Sequence, residues 1–209
     1  MKKLIGFTLS EVLITLVIIG VIAAITVPTM IANSNEQAIR SALRKNYQAL
    51  EQAIRKYYID NGQPLDSSIL GSWDSSLVDN FLNKYYNVSC IGFSCKAQET
   101  IKYYSHDGKT VVSSIYFPIK NGLMLVDGTF ISYNVMIGTH RCIIVDVNGP
   151  FKKPNVMGKD TFNFEIRSDD GKLIPGGASE SYYIEKNYCN KNVNERNGWG
   201  CTAKALREN

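Results

Sequence analysis

The chain has 209 residues, with 23 Lys and Arg against 19 Asp and Glu, for a net charge of +4. Without Lys2 and Lys3 the balance is 21 against 19, or +2. That bias is too slight for a protein built to neutralise phosphates, so no nucleic-acid partner is expected. At the start, Met1 to Gly6 holds two lysines and a small residue, and Val12 to Ala32 then runs for about 21 residues without a charge. As a helix, such a run crosses roughly 30 Å of hydrocarbon. Lysines ahead of a span hold its N-terminus on the cytoplasmic side, which predicts that everything after Ala32 lies outside.

Two ordinary readings fit this start poorly. A signal peptide places its apolar region before a small-residue cleavage site, whereas Gly6 and its basic flank precede the apolar run. A plain anchor has no use for Glu11 at the head of the span, because an unpaired carboxylate entering hydrocarbon is costly. The order of basic leader, Gly6, Phe7-Thr8-Leu9-Ser10-Glu11 and apolar run resembles the N-terminal signature of type IV pilins and type II secretion pseudopilins. The resemblance implies a leader of residues 1–6, cut by a prepilin peptidase between Gly6 and Phe7, and N-methylation of the new Phe7 amine. It implies a span of residues 7–32 that moves from inner-membrane lipid into a pilus or pseudopilus, through an assembly platform and beside other subunits. Glu11 would then pair with the Phe7 amine of a neighbour, a contact that a low-dielectric bundle favours. Thr8-x-x-Glu11 also reads as a capping box, which employs the same carboxylate within its own helix. The two roles are compatible.

Gly20 and Pro28 mark the least rigid part of the span, since Pro28 lacks the N–H that would bond Ala24 and should kink or loosen that turn. The resemblance implies partial unwinding there in filaments. From residue 33 to 62 the pattern is amphipathic, with Ile39, Leu43, Tyr47, Leu50, Ile54 and Tyr57 at steps of three and four. Asn61-Gly62 and Pro64 end the helix, which would run from Phe7 to Asp60, or about 80 Å.

Residues 63–209 are expected to form the head. Gln63 to Glu99 is rich in loops, with a helical candidate at Ser75–Tyr85. Ile101–Tyr104 and Val111–Phe117 flank His106-Asp107-Gly108 as one hairpin. Leu123–Val126 and Thr129–Tyr133 flank Asp127-Gly128, a two-residue turn signal. Cys142–Val147 suits a central strand, and Phe162–Arg167 alternates. The fold class is therefore α+β, a long N-terminal helix packed against an antiparallel sheet, and pilin-like. The tail from Gly176 is polar, is assigned no regular structure, and has too little apolar content to stay ordered unaided.

Five cysteines in a translocated body point to disulfides. Cys90 and Cys95 close a short loop, Cys189 and Cys201 a longer polar one, and Cys142 lies in an apolar run as a buried thiol. Zinc is the rival, but these spacings with only two His fit no usual zinc pattern. Sequence alone leaves the connectivity open. Asp146, Asn148 and Asp160 supply hard oxygens that would suit calcium, and major pseudopilins carry a calcium loop, although with a different spacing. An Asx-turn loop explains the same residues and is the preferred reading; no other cofactor is expected. The chain has no H-E-x-x-H, G-x-S-x-G or phosphate loop, so catalysis is not expected. The reading is a minor structural subunit of a type IV pilus or type II secretion pseudopilus. The alternative is a membrane-anchored or filament-tip binding module, adhesin-like, whose aromatic head grips a ligand.

Overall fold

The computed structural model describes residues 6–65, 81–92, 95, 101–113, 122–137, 140–190 and 194–208. They fall into two compact units, divided between Ala38 and Ile39. One helix, α1 (Leu9–Asn61), begins in the first and ends in the second. Its start is a closed capping box. The Thr8 backbone N–H and hydroxyl both donate to Glu11 Oε2 at 2.8 Å, and the Glu11 N–H donates to Thr8 Oγ1 at 3.3 Å. Its end is a glycine stop, with Gly62 at φ 71° and its N–H on the Tyr58 carbonyl at 2.8 Å.

In the first unit the large apolar side chains from Val12 to Ile31 are 43–69% exposed. By length and composition the helix is able to cross a membrane. Its threonines behave accordingly: the hydroxyls of Thr15, Thr26 and Thr29 donate to the carbonyls of Val12, Ile22 and Thr26. A hydroxyl satisfied by its own helix needs no water. The helix continues without a break through Gly20 and Pro28.

In the second unit a six-stranded antiparallel sheet has its strands side by side in chain order. The strands are β1 (Val88–Ile91), β2 (Gly122–Leu125), β3 (Phe130–Ile137), β4 (His140–Asp146), β5 (Thr161–Arg167) and β6 (Leu173–Pro175). Leu43, Leu50, Ala53 and Tyr57 of α1 form one core with Ile131, Ile143, Val145, Phe162, Phe164 and Ile166. The stripe read from the 3.6-residue period thus meets the strand residues of one face, at period two. Tyr47 stacks on Phe164 with centroids 5.9 Å apart, and Lys45 reaches Asp127 at 2.6 Å.

Several expectations need correction. Asp127-Gly128 does turn a hairpin, but its loop has three residues, Val126 to Gly128. The Leu125 N–H donates to the Thr129 carbonyl at 2.8 Å and the Gly128 N–H to the Leu125 carbonyl at 3.0 Å. Gly128 at φ 89° takes the left-handed position that such a loop demands. The proposed pairing of Ile101–Tyr104 with Val111–Phe117 reduces to one bridge between Tyr104 and Val111, and residues 114–117 lie outside the described ones. Asp107 tightens that turn by accepting the N–H groups of Lys109 and Thr110, while Tyr104 pairs on its other side with Val156. Of the helix at Ser75–Tyr85, only the last turn falls on described residues, as α2 (Asn83–Tyr85). β1 and β6 were not anticipated, and β4 begins at His140, two residues before the expected run.

The largest correction concerns the tail. It carries α3 (Glu185–Tyr188) and α4 (Thr202–Arg207); Tyr183, Tyr188 and Trp199 cover the sheet face opposite α1, while Ala205 and Leu206 of α4 pack against the α1 core. Tyr183 and Trp199, both fully buried, pack with Tyr103, Phe130, Cys142 and Ile144 in a second core. The alternation in β5 therefore does not mark a wet face, and Asn163 and Glu165 are fully buried as well. Glu165 accepts the Ser181 hydroxyl at 2.6 Å and the Tyr182 N–H at 2.8 Å. The Asn163 N–H donates to Thr202 Oγ1 at 3.1 Å. The Glu165 carboxylate thus satisfies a backbone N–H of the tail, and the Thr202 hydroxyl satisfies one of β5. Gly198 shows how closely the layers meet: it sits at φ 102°, and an added Cβ would strike the side chain and backbone of Met157.

Candidate functional site

From the sequence, Gly6, Phe7 and Glu11 of the N-terminal segment are expected to serve processing and assembly. Gly6 and Phe7 precede the helix, and Phe7 is 89% exposed. Outside regular structure, their amides are committed to no ladder. Glu11 is exposed and holds its own helix start. That box occupies Oε2. Gly20 has open space around it, with nothing within 4 Å of an added Cβ. Pro28 lies inside the helix and removes one backbone donor there.

The cysteine residues stand in the head. The structure joins Cys90 to Cys95 and Cys189 to Cys201, and leaves Cys142 free and buried in β4. Burial pushes the Cys142 thiol well up, which keeps it protonated and inert. His106 lies beside the second disulfide, with Nδ1 3.9 Å from Cys201 Sγ and 3.1 Å from the Met157 carbonyl. His106, Cys189 and Cys201 have ligand atoms within 4.8 Å of one another. The S–S bond withdraws both thiolates, so the two cysteines form a covalent clasp with His106 beside it.

Asp146, Asn148 and Asp160 do come together, but around protein donors. Asp146 Oδ1 accepts the N–H groups of Asn148 at 3.3 Å and Gly149 at 2.9 Å, and Oδ2 accepts the Tyr103 hydroxyl at 2.8 Å. Asp160 accepts the N–H groups of Asn155 at 2.8 Å and Val156 at 2.7 Å. Calcium takes about six to eight oxygens. Here every carboxylate oxygen already faces a donor, and a cation would have to displace or confront those donors. The set fits a hydrogen-bonded loop staple better than a cation cage, even though Oδ1 of Asn148 and of Asn155 is buried without a hydrogen-bond partner among the described residues. Burial, and next the Asp160 carboxylate, push Asp146 up to about 7. Burial also raises Asp160.

Sequence reasoning did not anticipate that Tyr103 and Asn155 bond the two aspartates, or that Glu165 is buried. The only signal was negative, a polar residue inside an apolar period-two run at Asn163 and Glu165, and the burial of its face was not legible locally.

The N-terminal features match known proteins. Residues 1–27 match the prokaryotic N-terminal methylation motif. Over 63 residues the chain is 38% identical to the type II secretion system core protein G of Klebsiella pneumoniae, covering 30% of this chain and 44% of that protein. The chain thus spans less than half the length of the curated relative it matches. No solved structure matches. The methylation motif, that relative, and a long apolar N-terminal helix joined to an antiparallel α+β head make this chain a pilin- or pseudopilin-like protein.

Proposed function

We propose that the chain is a structural subunit, minor in number, of a type IV pilus or type II secretion pseudopilus. The observation that carries this is the methylation motif at residues 1–27 running into a helix whose apolar residues are exposed from Val12 to Ile31. An apolar surface of that length requires lipid or sister helices around it. In this reading a prepilin peptidase removes residues 1–6 and Phe7 is methylated. The span waits in the inner membrane with its head outside, and the assembly platform lifts it into the filament. Glu11 caps its helix in the membrane and meets the Phe7 amine of the next subunit on assembly. The stretch from Gly20 to Pro28 loosens at that step, because the missing donor at Pro28 makes it the cheapest place to unwind. The role is one of scaffolding and transmission, without catalysis.

Mass spectrometry of protein from its host should show methyl-Phe7 as the N-terminus; an intact Met1, or a cut near Ala32, overturns the reading. Gly6→Leu should block processing. Glu11→Gln should be processed and stay in the membrane, yet fail to enter filaments. Normal incorporation of Glu11→Gln would confine Glu11 to capping.

A further inference from the structure

The disulfide between Cys189 and Cys201 has unlike surroundings at its two ends. Cys201 is 3% exposed, whereas Cys189 is only half-buried, as are Tyr188 and Asn190 on either side of it. A dissolved reagent therefore reaches the bond through Cys189. His106 attends the other sulfur, with Nδ1 3.9 Å from Cys201 Sγ. Three segments hold the ring there. The His106 backbone N–H donates to the Asn197 carbonyl at 3.0 Å, and Nδ1 lies 3.1 Å from the Met157 carbonyl. Asp107 braces the turn that carries the ring by accepting the N–H groups of Lys109 and Thr110. Gly158 leaves room for the pair, since an added Cβ would lie 3.0 Å from both Cys201 Sγ and His106 Nδ1.

A carbonyl oxygen only accepts, so the contact with Met157 places a proton on Nδ1. The same N–H lies within reach of Cys201 Sγ. A disulfide sulfur is a poor acceptor for it, whereas a thiolate there would gain a charge-assisted hydrogen bond. In disulfide exchange one sulfur leaves as a thiolate, and it leaves faster the better its charge is stabilised. Exposure and hydrogen bonding thus name the same direction. Cys189 is the sulfur that is reached, and Cys201 is the sulfur that is helped to leave. Cys142, fully buried in β4, has no such access.

We propose that Cys189–Cys201 is a thiol-exchange site of fixed direction, open to low-molecular-weight thiols. The incoming thiolate gives an electron pair to Cys189 Sγ and forms a mixed disulfide. The pair of the old S–S bond departs on Cys201 Sγ, where the His106 N–H receives the charge. One thiolate is consumed and one is released, so the step needs no oxidant, no metal and no net proton. It runs backwards by the same route: the Cys201 thiolate, held by His106, closes the bond and expels the small thiol from Cys189. The head is thus tagged at Cys189 and restored according to the thiols around it. A small thiol fits a half-buried sulfur set between Tyr188 and Asn190 better than a folded partner does. The inference is independent of the assembly reading, since no residue of the N-terminal segment takes part.

Glutathione is the probe, added to the full chain in detergent micelles, with samples quenched by acid over time and mapped as peptides. The first product expected carries glutathione on Cys189 and a free thiol at Cys201. That placement is read on the unmodified sequence and depends on no variant. His106→Ala should slow the opening about fivefold, and added imidazole should restore the rate. A histidine that only packed the loop would, once removed, loosen the bond and speed its opening. Cys90–Cys95, whose first cysteine lies in β1, is the internal control and should open at an unchanged rate. Glutathione on Cys201 overturns the proposal, as does a bond that resists glutathione until the head is denatured. Opening as fast in His106→Ala as in the parent chain, or an equal slowing of both disulfides, overturns it too.

Discussion

The span and the head use the same apolar residues in opposite ways. Ile18 and Ile19, in the first unit, are 53% and 62% exposed, while Ile143 and Ile144, in β4, are fully buried. The span satisfies its threonine hydroxyls on its own helix carbonyls and leaves its apolar side chains exposed. The head needs two cores and a polar layer before its isoleucines leave water. A hydrophobic residue therefore carries no structural instruction by itself; the hydrogen bonding of its backbone decides whether lipid or the chain must cover it.

The sharpest way to break this contrast is to place one charge in each region. Ile143→Asp should unfold the head, at a cost of about 4 kcal/mol or more, because a buried carboxylate has no partner there. Ile18→Asp should leave the melting temperature of the head within about 1 °C and instead reduce the membrane-bound fraction, since a central acid costs about 3 kcal/mol on insertion. Equal loss of head stability in the two variants would show that the regions are not separable. Next in size, Trp199→Ala should cost about 3–4 kcal/mol in chemical denaturation, because the tail is part of the core. A loss below about 1 kcal/mol would restore the reading of the tail as a loop held only by its disulfide.

The disulfides sharpen the same point within the head. Opening Cys189–Cys201 by double replacement with Ser should cost about 3 kcal/mol, and opening Cys90–Cys95 about 2, since the longer loop restores more freedom to the unfolded chain. The reverse order would contradict that account.

The smallest effect is on pH. Asp146, raised to about 7 by burial and then by Asp160, keeps its proton in the folded head where the unfolded chain has lost it. Such a group makes the head more stable as pH falls through 7 towards the ordinary carboxylate range near 4, and less stable as pH rises through that window. Between pH 8 and 6 the gain should be about 1 kcal/mol, and Asp146→Asn should abolish it. A profile unchanged by Asp146→Asn would place the titration elsewhere. Millimolar calcium at pH 7 should shift the melting temperature by less than about 1 °C, and a rise of several degrees would turn the staple into a cation site.

The candidate processing site was legible because its chemistry is linear. Gly6, Phe7, Thr8 and Glu11 act through positions a few residues apart, and a capping box forms within one turn. The bridge between Tyr104 and Val156 was not, because it joins two segments distant in sequence.

Local periodicity likewise determined α1, its apolar stripe, the glycine stop and the positions of β2 to β5, since each depends on spacings of two, three or four residues. Tertiary structure alone decided that the polar tail is ordered, that Glu165 and Asn163 are buried, and that Tyr104 pairs with Val156 as well as with Val111. A buried acid is tolerable only when donors arrive from elsewhere in the chain, as Ser181 and Tyr182 do for Glu165. No spacing within β5 announces their arrival.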